Sequence, residues 1–322
     1  MKWTEALIAL ENIQSRMTTG RGRRVTTRAS HQHPKQRYMR LILPGMIVVG
    51  VLTQIPFLGT LYLSFFRWNL LRPSQGIKFI GFSNFARELS SMQFYHATLN
   101  TVVITLFTLV ICLGIGMLLA LLLNQPFWGR GIVRSLIITP FFVMSTVSGI
   151  IWKDIIFDPS FGLFAWAMRH IGMHPVAVAQ SDPMILIILV LSWRWIPFFM
   201  LILLAGLQSF PEELHESGQL DGANGIQRFF SLVIPHLMRY MEVAIFLGLI
   251  FILQTFGTIY VTTQGGPGLA STNLSYLVYR TQVQNYHYGL ASSVSVLFVV
   301  LTVVGLSFLF KNIRNRFGET LR

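Results

Sequence analysis

The chain has 322 residues, of which 53% are hydrophobic and only 11% are charged, and its formal net charge is +13 at pH 7. Because an ordinary soluble domain is about one quarter charged, this composition excludes a typical soluble protein and predicts an integral membrane protein. The single cysteine, Cys112, excludes an intrachain disulfide, and a packing role is predicted for it because free cysteine behaves as a small buried hydrophobe.

Residues 1–37 are polar and rich in arginine, and they predict a basic cytoplasmic tail rather than a cleavable signal peptide. After this tail, six apolar stretches are long enough to cross a hydrocarbon core of about 30 Å, which takes roughly 20 helical residues. The sequence therefore predicts an all-α integral membrane protein, with a membrane domain over residues 38–315 and a cytoplasmic C-terminal tail over residues 316–322. The six predicted transmembrane helices cover residues 41–66, 97–123, 133–156, 184–208, 243–263 and 289–310.

The distribution of basic residues predicts the orientation of these helices. Nine lysines and arginines precede the first span and four follow the last, whereas the three connections on the opposite side hold seven in total. Lysine and arginine are enriched in cytoplasmic loops, so both termini are predicted to be cytoplasmic. The positive charge is then explained by orientation in the membrane, and nucleic acid is not a predicted partner.

An acidic, glycine-containing segment, "ELHESGQLDGANGIQRFFSLVIPHL", separates spans four and five and is predicted to face the cytoplasm. Pro211 and the glutamates after it predict the start of a short helix. Asp221 followed by Gly222 predicts a turn, with Asp221 capping a second helix. Spacings of three and four predict one buried face on that second helix, formed by Ile226, Phe229, Phe230, Val233 and Leu237. Glu216 and the turn are predicted to stay exposed.

Together with the two residues before it, this segment forms residues 211–237, which resemble the coupling loop of binding-protein-dependent ABC importer permeases. The residues that carry the resemblance are Glu216, Asp221, Gly222, Ala223 and Pro235. The family pattern begins Glu-Ala-Ala, where this chain has Ser217 and Gly218 after the acid, and it ends Ile-x-Leu-Pro, where this chain has Leu-Val-Ile before the proline. The segment is therefore identified as a cytoplasmic coupling helix pair between transmembrane helices 4 and 5.

Other segments resemble the carbohydrate-uptake branch of the same family, in the same order along about residues 40–315. They are "FIGFSNF", "RGIVRSLIITPFF", "GIIWKDIIFDPSFGLF", "GGPGLASTNL" and "YGLASSVSV". Within this branch, "WNLLRP" and "LLNQPFWGRGIVRSLIITPFFVMSTVSGIIWK" are similar to permeases of sorbitol and mannitol importers. The resemblance implies a sugar or sugar alcohol as the solute, with a disaccharide or a glycerol-phosphate-like solute as the alternative.

The resemblance also implies the molecular setting of the chain, a permease subunit of an ATP-driven importer in the bacterial cytoplasmic (inner) membrane. Because the sequence has no Gly-x-x-x-x-Gly-Lys-Ser/Thr loop, no catalytic residue, metal or cofactor is predicted in this chain, and ATP with Mg²⁺ is expected on a partner ATPase. The implied partners are a second homologous permease, a dimer of ATPase subunits, a periplasmic or lipid-anchored solute-binding protein, the carbohydrate substrate and membrane lipid. Glu216 is expected to pair with a basic group in the ATPase cleft.

Arg194 lies near the middle of the fourth span, where a charge facing lipid would cost about 2.5 to 3.5 kcal/mol, so it is predicted to face protein or a cavity. In maltose-type members of the family, substrate contacts lie in this span and the next, at positions that resemble Trp195, Phe198, Phe251 and Thr255 here. With neighbours added for their polar chemistry, the candidates are Arg194, Trp195, Phe198, Phe251, Gln254, Thr255 and Ser145. The alternatives are that the aromatic residues only pack and Arg194 pairs internally, or that a companion permease makes the substrate contacts.

Two other classes of membrane protein fit this sequence less well. A secondary transporter would be expected to carry acids in the centres of its spans and an internal repeat, but Asp154 and Glu242 lie near span ends and no repeat is evident. An intramembrane enzyme would need catalytic groups inside the membrane. His-Glu-x-x-His is absent and Ser145 has no histidine or lysine near it in a span centre.

Overall fold

A computed structural model describes residues 34–318, which are mostly helical. Most of the predicted N-terminal tail, together with residues 319–322, lies outside the described residues; the first helix begins at Pro34, inside that predicted tail. The helices are α1 (Pro34–Leu63), α2 (Ser83–Leu89), α3 (Met92–Asn124), α4 (Arg130–Phe142), α5 (Ser145–Ile150), α6 (Leu163–His170), α7 (Val178–Ser181), α8 (Pro183–Gln208), α9 (Glu212–Leu220), α10 (Gly225–Arg228), α11 (Ile234–Leu253), α12 (Gly257–Thr262), α13 (Leu274–Tyr279) and α14 (Tyr288–Gly318). Three π-helical turns (Ile151–Ile156, Phe229–Val233 and Arg280–Gln284), one 3-10 turn (Pro73–Gln75) and a small antiparallel sheet of β1 (Phe66–Arg67) and β2 (Lys78–Phe79) complete them.

The chain divides into two compact units, one ending at Ile55 and the other beginning at Pro56, so the boundary falls inside α1. The predicted membrane domain over residues 38–315 therefore includes parts of both units. Every site described below lies within the second unit.

The helices confirm the prediction of an all-α membrane protein. Five helical stretches are long and apolar enough to cross a membrane: Ile42–Leu63, Met92–Asn124, Pro183–Gln208, Gly225–Leu253 and Tyr288–Phe308. A bent pair, Arg130–Phe142 followed by Ser145–Ile156, makes a sixth span if its two halves are counted together. Each of the six predicted spans overlaps one of these stretches.

Two of the predicted spans are interrupted, and the prediction of continuous helix is wrong there. The third bends by 97° where Val143 and Met144 are extended. Pro140, in the last turn of α4, has no N–H to donate and so weakens the helix at this point. The fifth span, predicted over residues 243–263, ends at Leu253 and resumes only at Gly257.

The second halves of the two broken spans pack against each other. A Cβ atom on Gly257 would lie 2.7 Å from Oγ of Ser145, and one on Gly149 would lie 3.2 Å from Cγ2 of Thr262. Only glycine allows the two short helices α5 and α12 to approach this closely. The breaks in the third and fifth spans are therefore brought together in one region.

The core is built on α3 and α8, which run in the same direction. Ile104 lies in one core cluster with Ile187 and Leu191, and Leu123 lies in the next cluster with Leu207. Because the residue numbers rise together along both helices, their C-terminal ends lie at the same end of the bundle. The connection from α3 to α4 and the predicted coupling loop after α8 therefore lie at this same end, as the six-span prediction requires.

Small residues at every fourth position allow α3 to approach α8. Cys112, Gly116 and Ala120 are all buried, which confirms the packing role predicted for the cysteine. A Cβ atom on Gly116 would lie 3.0 Å from Cβ of Phe199 and 3.1 Å from the backbone nitrogen of Met200. Such stripes of small residues are a common basis of helix packing in membranes.

We expect Gly116→Leu to lower the melting temperature of the detergent-purified chain, because the added side chain has to separate α3 from α8. Overpacking a core typically costs about 1–3 kcal/mol. Gly114→Leu is the matched control, since a Cβ atom there meets nothing within 4 Å. Fluorescence-detected size-exclusion chromatography after heating measures both variants, and equal melting temperatures would contradict the packing argument.

Candidate functional site

A cavity of about 440 Å³ lies where the two broken spans meet α8. Its walls come from the end of α4, the start of α5, the middle of α8, the end of α11 and the first residues of α12 with the break before them. The lining residues are Phe141, Ser145, Arg194, Trp195, Phe251, Gln254, Thr255, Phe256, Gly257 and Thr258. Solute sites in transporters commonly form at discontinuous helices, because backbone groups there are free to bind.

The cavity brings together six of the seven residues predicted for the substrate path. Phe198 is the exception: it stacks on Phe141 from behind the wall, with ring centroids 5.8 Å apart. The sequence prediction missed Phe141, Phe256, Gly257 and Thr258, which line the cavity because the backbone is broken beside them. That the seven residues predicted from the sequence bind solute directly stays a prediction.

Arg194 joins the cavity to the break in the third span. Its Nε donates a hydrogen bond of 3.0 Å to the carbonyl oxygen of Val143, a group that the extended backbone leaves without a helical donor. The guanidinium carbon lies 5.6 Å from the centroid of the Trp195 ring. No hydrogen bond connects either terminal nitrogen of Arg194 with another described residue, so the side chain both holds the break and retains donors for a ligand.

Aromatic rings form the apolar part of the wall. Trp195 stacks on Phe251 with ring centroids 5.3 Å apart and an interplanar angle of 17°, and Phe141 meets the edge of Trp195 at 5.6 Å. Within the described residues, Nε1 of Trp195 and Oγ1 of Thr258 are buried and have no hydrogen-bond partner. Buried polar groups are rarely left unpaired, so these two atoms, on residues that line the cavity, need a partner that the described residues do not supply.

The break in the fifth span is held open by Asn273. Its Nδ2 donates a hydrogen bond of 2.6 Å to the carbonyl oxygen of Thr255. Asn273 is also the N-terminal cap of α13, where its Oδ1 accepts a hydrogen bond of 2.8 Å from the backbone nitrogen of Tyr276. Backbone groups at membrane depth need such partners when they leave a helix. Gln254 and Thr255 are thus fixed at the cavity by a side chain that is itself buried.

The predicted coupling loop forms two helical segments at the end of the bundle reached by α3 and α8. The first, α9, follows Pro211 and has Glu212 and Glu213 in its first turn, where their negative charge is favourable. Glu216 is exposed, as the sequence predicts. Gly222, at φ 75°, ends the helix in the left-handed conformation that glycine adopts most easily. Ala223 closes this turn through a backbone hydrogen bond to Gly218.

The prediction that Asp221 caps the second helix is wrong. Asp221 is the C-terminal cap of α9, and Asn224 begins the second segment. The side chain of Asn224 accepts a 2.8 Å hydrogen bond from the backbone of Gln227, whose own side chain accepts one of 2.9 Å from the backbone of Asn224. This reciprocal capping box needs its first residue three positions before a glutamine or glutamate, a spacing that Asp221 lacks.

The predicted buried face of the second segment is only partly buried. Leu237 is fully buried, whereas Ile226 is 72% exposed and Phe230 is 65% exposed. The π-helical turn Phe229–Val233 adds a residue to one turn, so side chains before it no longer share a face with those after it. Pro235 follows this turn at the start of α11, where its missing N–H is tolerated.

The exposed part of the loop combines acid with apolar surface. Around Glu216, the large side chains of Leu214, Leu220, Ile226 and Phe230 are exposed. Gly218, where the family pattern has alanine, lies buried against the second segment: a Cβ atom there would lie 2.9 Å from Cδ1 of Leu232. The departure from the family pattern therefore allows closer packing of the two segments. We name the exposed surface formed by Leu214, Glu216, Leu220, Ile226 and Phe230 the coupling knob.

The chain was compared with known proteins. Residues 112–322 match the family described as binding-protein-dependent transport system inner membrane component. The trehalose/maltose transport system permease protein MalF of Thermococcus litoralis is 33% identical over 285 residues, which is 87% of this chain and 94% of that protein. The sn-glycerol-3-phosphate transport system permease protein UgpA of Rhizobium meliloti is 30% identical over 278 residues, 86% of this chain and 94% of that protein.

A solved structure agrees in fold. A chain of the bacterial ABC transporter involved in the import of the acidic polysaccharide alginate superposes with a TM-score of 0.74 at 23% identity, covering 88% of this chain and 96% of that one. The chain belongs to the family of binding-protein-dependent transport system inner membrane components, and it is a permease subunit of the inner membrane rather than an enzyme.

Proposed function

We propose that this permease provides part of the import pathway for a hydroxyl-rich solute of the carbohydrate class, and that the cavity at the two helix breaks holds that solute. The observation that carries the proposal is the composition of the cavity wall. Arg194 retains hydrogen-bond donors there, Trp195 and Thr258 have unpaired polar atoms, and aromatic faces surround them. Pockets for small molecules range over roughly 300–1,000 Å³, which includes the volume of this cavity.

The wall suits a carbohydrate because its polar and apolar parts match the two kinds of surface that such a solute presents. Hydroxyl groups accept from the guanidinium of Arg194 and from Nε1 of Trp195. The C–H faces of the solute pack on the stacked pair of Trp195 and Phe251. No acidic residue lies among the described residues that line the cavity, so nothing there repels an anionic substituent.

Within this class, a disaccharide is the first candidate and a glycerol-phosphate-like solute the second. Relatives named for trehalose and maltose, and for sn-glycerol-3-phosphate, support these two over the sorbitol or mannitol expected from the sequence resemblance. The second candidate is favoured by one further observation. The terminal nitrogens of Arg194 have no described partner, and a guanidinium binds phosphate through a pair of hydrogen bonds.

In this proposal the coupling knob, with Glu216 at its centre, docks in a cleft of a partner ATPase that binds ATP and Mg²⁺. The helices on either side of the loop form two walls of the cavity. Arg194 lies 14 residues before the end of α8, or about 21 Å along a helix, and Phe251 lies 17 residues into α11, or about 26 Å. A displacement of the knob is thereby transmitted to both walls.

The junction between these two helices is braced close to the loop. Oγ of Ser209, just after α8, lies 2.6 Å from the hydroxyl of Tyr240 on α11, and Nε2 of His236 lies 3.1 Å from the carbonyl oxygen of Gly206. These bonds favour movement of α8 and α11 together.

A second permease completes the pathway, and an external solute-binding protein delivers the solute.

The substrate class is tested in proteoliposomes that contain the complete importer and its solute-binding protein. We expect ATPase activity to rise severalfold with a disaccharide such as trehalose or maltose, or with sn-glycerol-3-phosphate. Mannitol and sorbitol test the expectation from sequence, and glutamine and a dipeptide are the controls. Stimulation by the amino acid or the dipeptide, with none by any hydroxyl-rich solute, would refute the proposal.

A further inference from the structure

A second polar pocket, of about 250 Å³, lies at the end of the bundle opposite the coupling knob. Arg67 of β1, Arg72 after it, Arg87 of α2 and His287 before α14 line this pocket. Its position follows from α3, which begins just after α2 and ends at the level of the coupling loop. We call it the arginine pocket. None of its residues takes part in the function proposed above.

The backbone around the arginine pocket is fixed by hydrogen bonds between distant segments. Nδ2 of Asn84 donates to the carbonyl oxygens of Ser64 and Phe66, at 2.8 and 2.9 Å. Nδ2 of Asn69 lies 3.1 Å from Nδ1 of His287. A Cβ atom on Gly289 would overlap the carbonyl oxygen of Phe66, so the two backbones are in direct contact. These contacts fix the segments that line the pocket relative to one another.

Three arginines line this small space, and the one acid with which they interact, Glu88 beside Arg87, is not among the residues that line it. Among the described residues, Arg67, Arg72 and Arg87 make no side-chain hydrogen bond or ion pair. Burial lowers the pKa of His287, and the charges of Arg87 and Arg72 lower it further, which places both guanidinium groups near the imidazole. Glu88, the acid next to Arg87, is buried, and burial raises its pKa. An anion held between positive charges that line one pocket would reduce their mutual repulsion.

The pocket lies at the membrane boundary. Arg67 is four residues beyond the apolar span that ends at Leu63, and His287 immediately precedes the span that begins at Tyr288. Exposed aromatic side chains surround this level, among them Tyr62, Phe79 and Phe82. Aromatic residues are enriched where a membrane protein meets the lipid headgroups. The convergent guanidinium groups are thus at the depth of lipid phosphates.

We propose that the arginine pocket binds a phosphate group, supplied in the membrane by the headgroup of an anionic phospholipid. The planar guanidinium offers two parallel N–H donors to two phosphate oxygens, and three such groups around one small space match the several oxygens of a phosphate. The bound headgroup tethers the outer ends of α1 and α14, which both border the pocket through the residues next to them. Inorganic phosphate is the other source of the same chemistry.

Native mass spectrometry of the full chain in a neutral detergent tests this proposal, with phosphatidylglycerol and phosphatidylcholine as the probes. We expect phosphatidylglycerol to bind more tightly than phosphatidylcholine. Arg67→Gln, Arg72→Gln and Arg87→Gln should each weaken phosphatidylglycerol binding about fivefold, the effect of one basic residue near an anionic surface. Lys78→Gln is the matched control, because Lys78 pairs with Arg67 in the sheet and is exposed but does not line the pocket.

Each arm of the experiment has a distinct outcome. If 10 mM inorganic phosphate protects the chain against heating and the three arginine variants lose this protection while no lipid preference is seen, the pocket binds free phosphate and only the lipid source is wrong. Equal binding of both lipids by all variants, with no effect of phosphate, would overturn the proposal. A loss of phosphatidylglycerol binding in Lys78→Gln as large as in Arg67→Gln would also overturn it. So would arginine variants that keep phosphatidylglycerol binding and lose only the docking of a solute-binding protein.

Discussion

Glu216→Lys is expected to abolish solute transport while the chain remains folded and inserted in the membrane. The side chain is exposed on the coupling knob, so the substitution removes no internal contact of the described chain. In the assembled importer it would place a positive charge against the basic group that we expect in the ATPase cleft. Losing one partner of a desolvated charge pair typically costs about 2–5 kcal/mol, so uptake should fall by a factor between about 30 and a few thousand.

Transport of radiolabelled solute into proteoliposomes measures this effect, with co-purification of the ATPase as the readout for assembly. Glu213→Lys is the matched control: it makes the same charge change one turn earlier in α9. Its expected cost is only the loss of a favourable charge at a helix start, about 0.3–1 kcal/mol. Glu216→Lys with normal uptake and assembly would show that this acid does not couple the two subunits.

Arg194→Leu should have the second-largest effect, because Arg194 has two functions in the structure. It donates to the carbonyl oxygen of Val143 at the break in the third span, and it lines the cavity with its remaining donors. Hydrogen bonds to charged groups are worth about 1.5–3 kcal/mol, so the loss of one bond to the solute predicts a 10- to 150-fold fall in uptake. The carbonyl left without its donor should also lower the melting temperature.

Arg194→Lys tests the contribution of the paired donors of Arg194, and Arg169→Gln is the control outside the cavity. Lysine keeps the charge but not the paired donors, so a glycerol-phosphate-like solute should lose more affinity than a disaccharide. Arg169 donates only to the carbonyl oxygens of Pro159 and Ser160 outside the cavity, so Arg169→Gln should leave uptake unchanged. The role proposed for Arg194 would be wrong if Arg194→Leu kept the uptake rate and the apparent KM of the unaltered protein.

The spans were predictable from sequence because their signal is a sum over many residues. A run of about 20 apolar side chains remains visible whatever the local backbone does. For the same reason the two breaks were not predictable. Val143 and Met144 are as apolar as the helices around them, and Gln254 and Thr255 resemble ordinary polar residues of a span. Hydropathy averages over such short interruptions.

The errors in the coupling loop have a different cause, since they concern local hydrogen bonding. Asp221 and Asn224 are both acceptable helix caps by residue type, and only the partner three positions later favours Asn224. The apolar spacing of the second segment assumed 3.6 residues per turn throughout, and one π-helical turn displaced Ile226 and Phe230 from the buried face. The position and exposure of Glu216, by contrast, depend on the turn at Gly222, which the sequence specifies directly.

Some of the residues that line the cavity could be predicted from the sequence. Arg194 and Gln254 are among the few charged or amide side chains away from the span ends, so they could be selected without knowing the backbone, and both line one space with Thr255 and Ser145. Thr258 was missed because its polarity has meaning only once the chain is known to restart at Gly257. Phe198 was included because neighbouring aromatic residues on a helix cannot be assigned to the inner or outer side of a wall by type alone.

Asn273 gives the fifth span a property that an ordinary helix lacks. The side-chain amide of Asn273 donates to the carbonyl of Thr255 and also caps α13. The rim of the cavity and the segment leading to α14 are therefore both hydrogen-bonded to the same side chain. Any rearrangement that moves the carbonyl of Thr255 away from α13 must therefore carry Asn273 with it or break the hydrogen bond from Nδ2 of Asn273. A change in the shape of the cavity rim is in this way coupled to the position of α13, and through α13 to the segment that leads to α14.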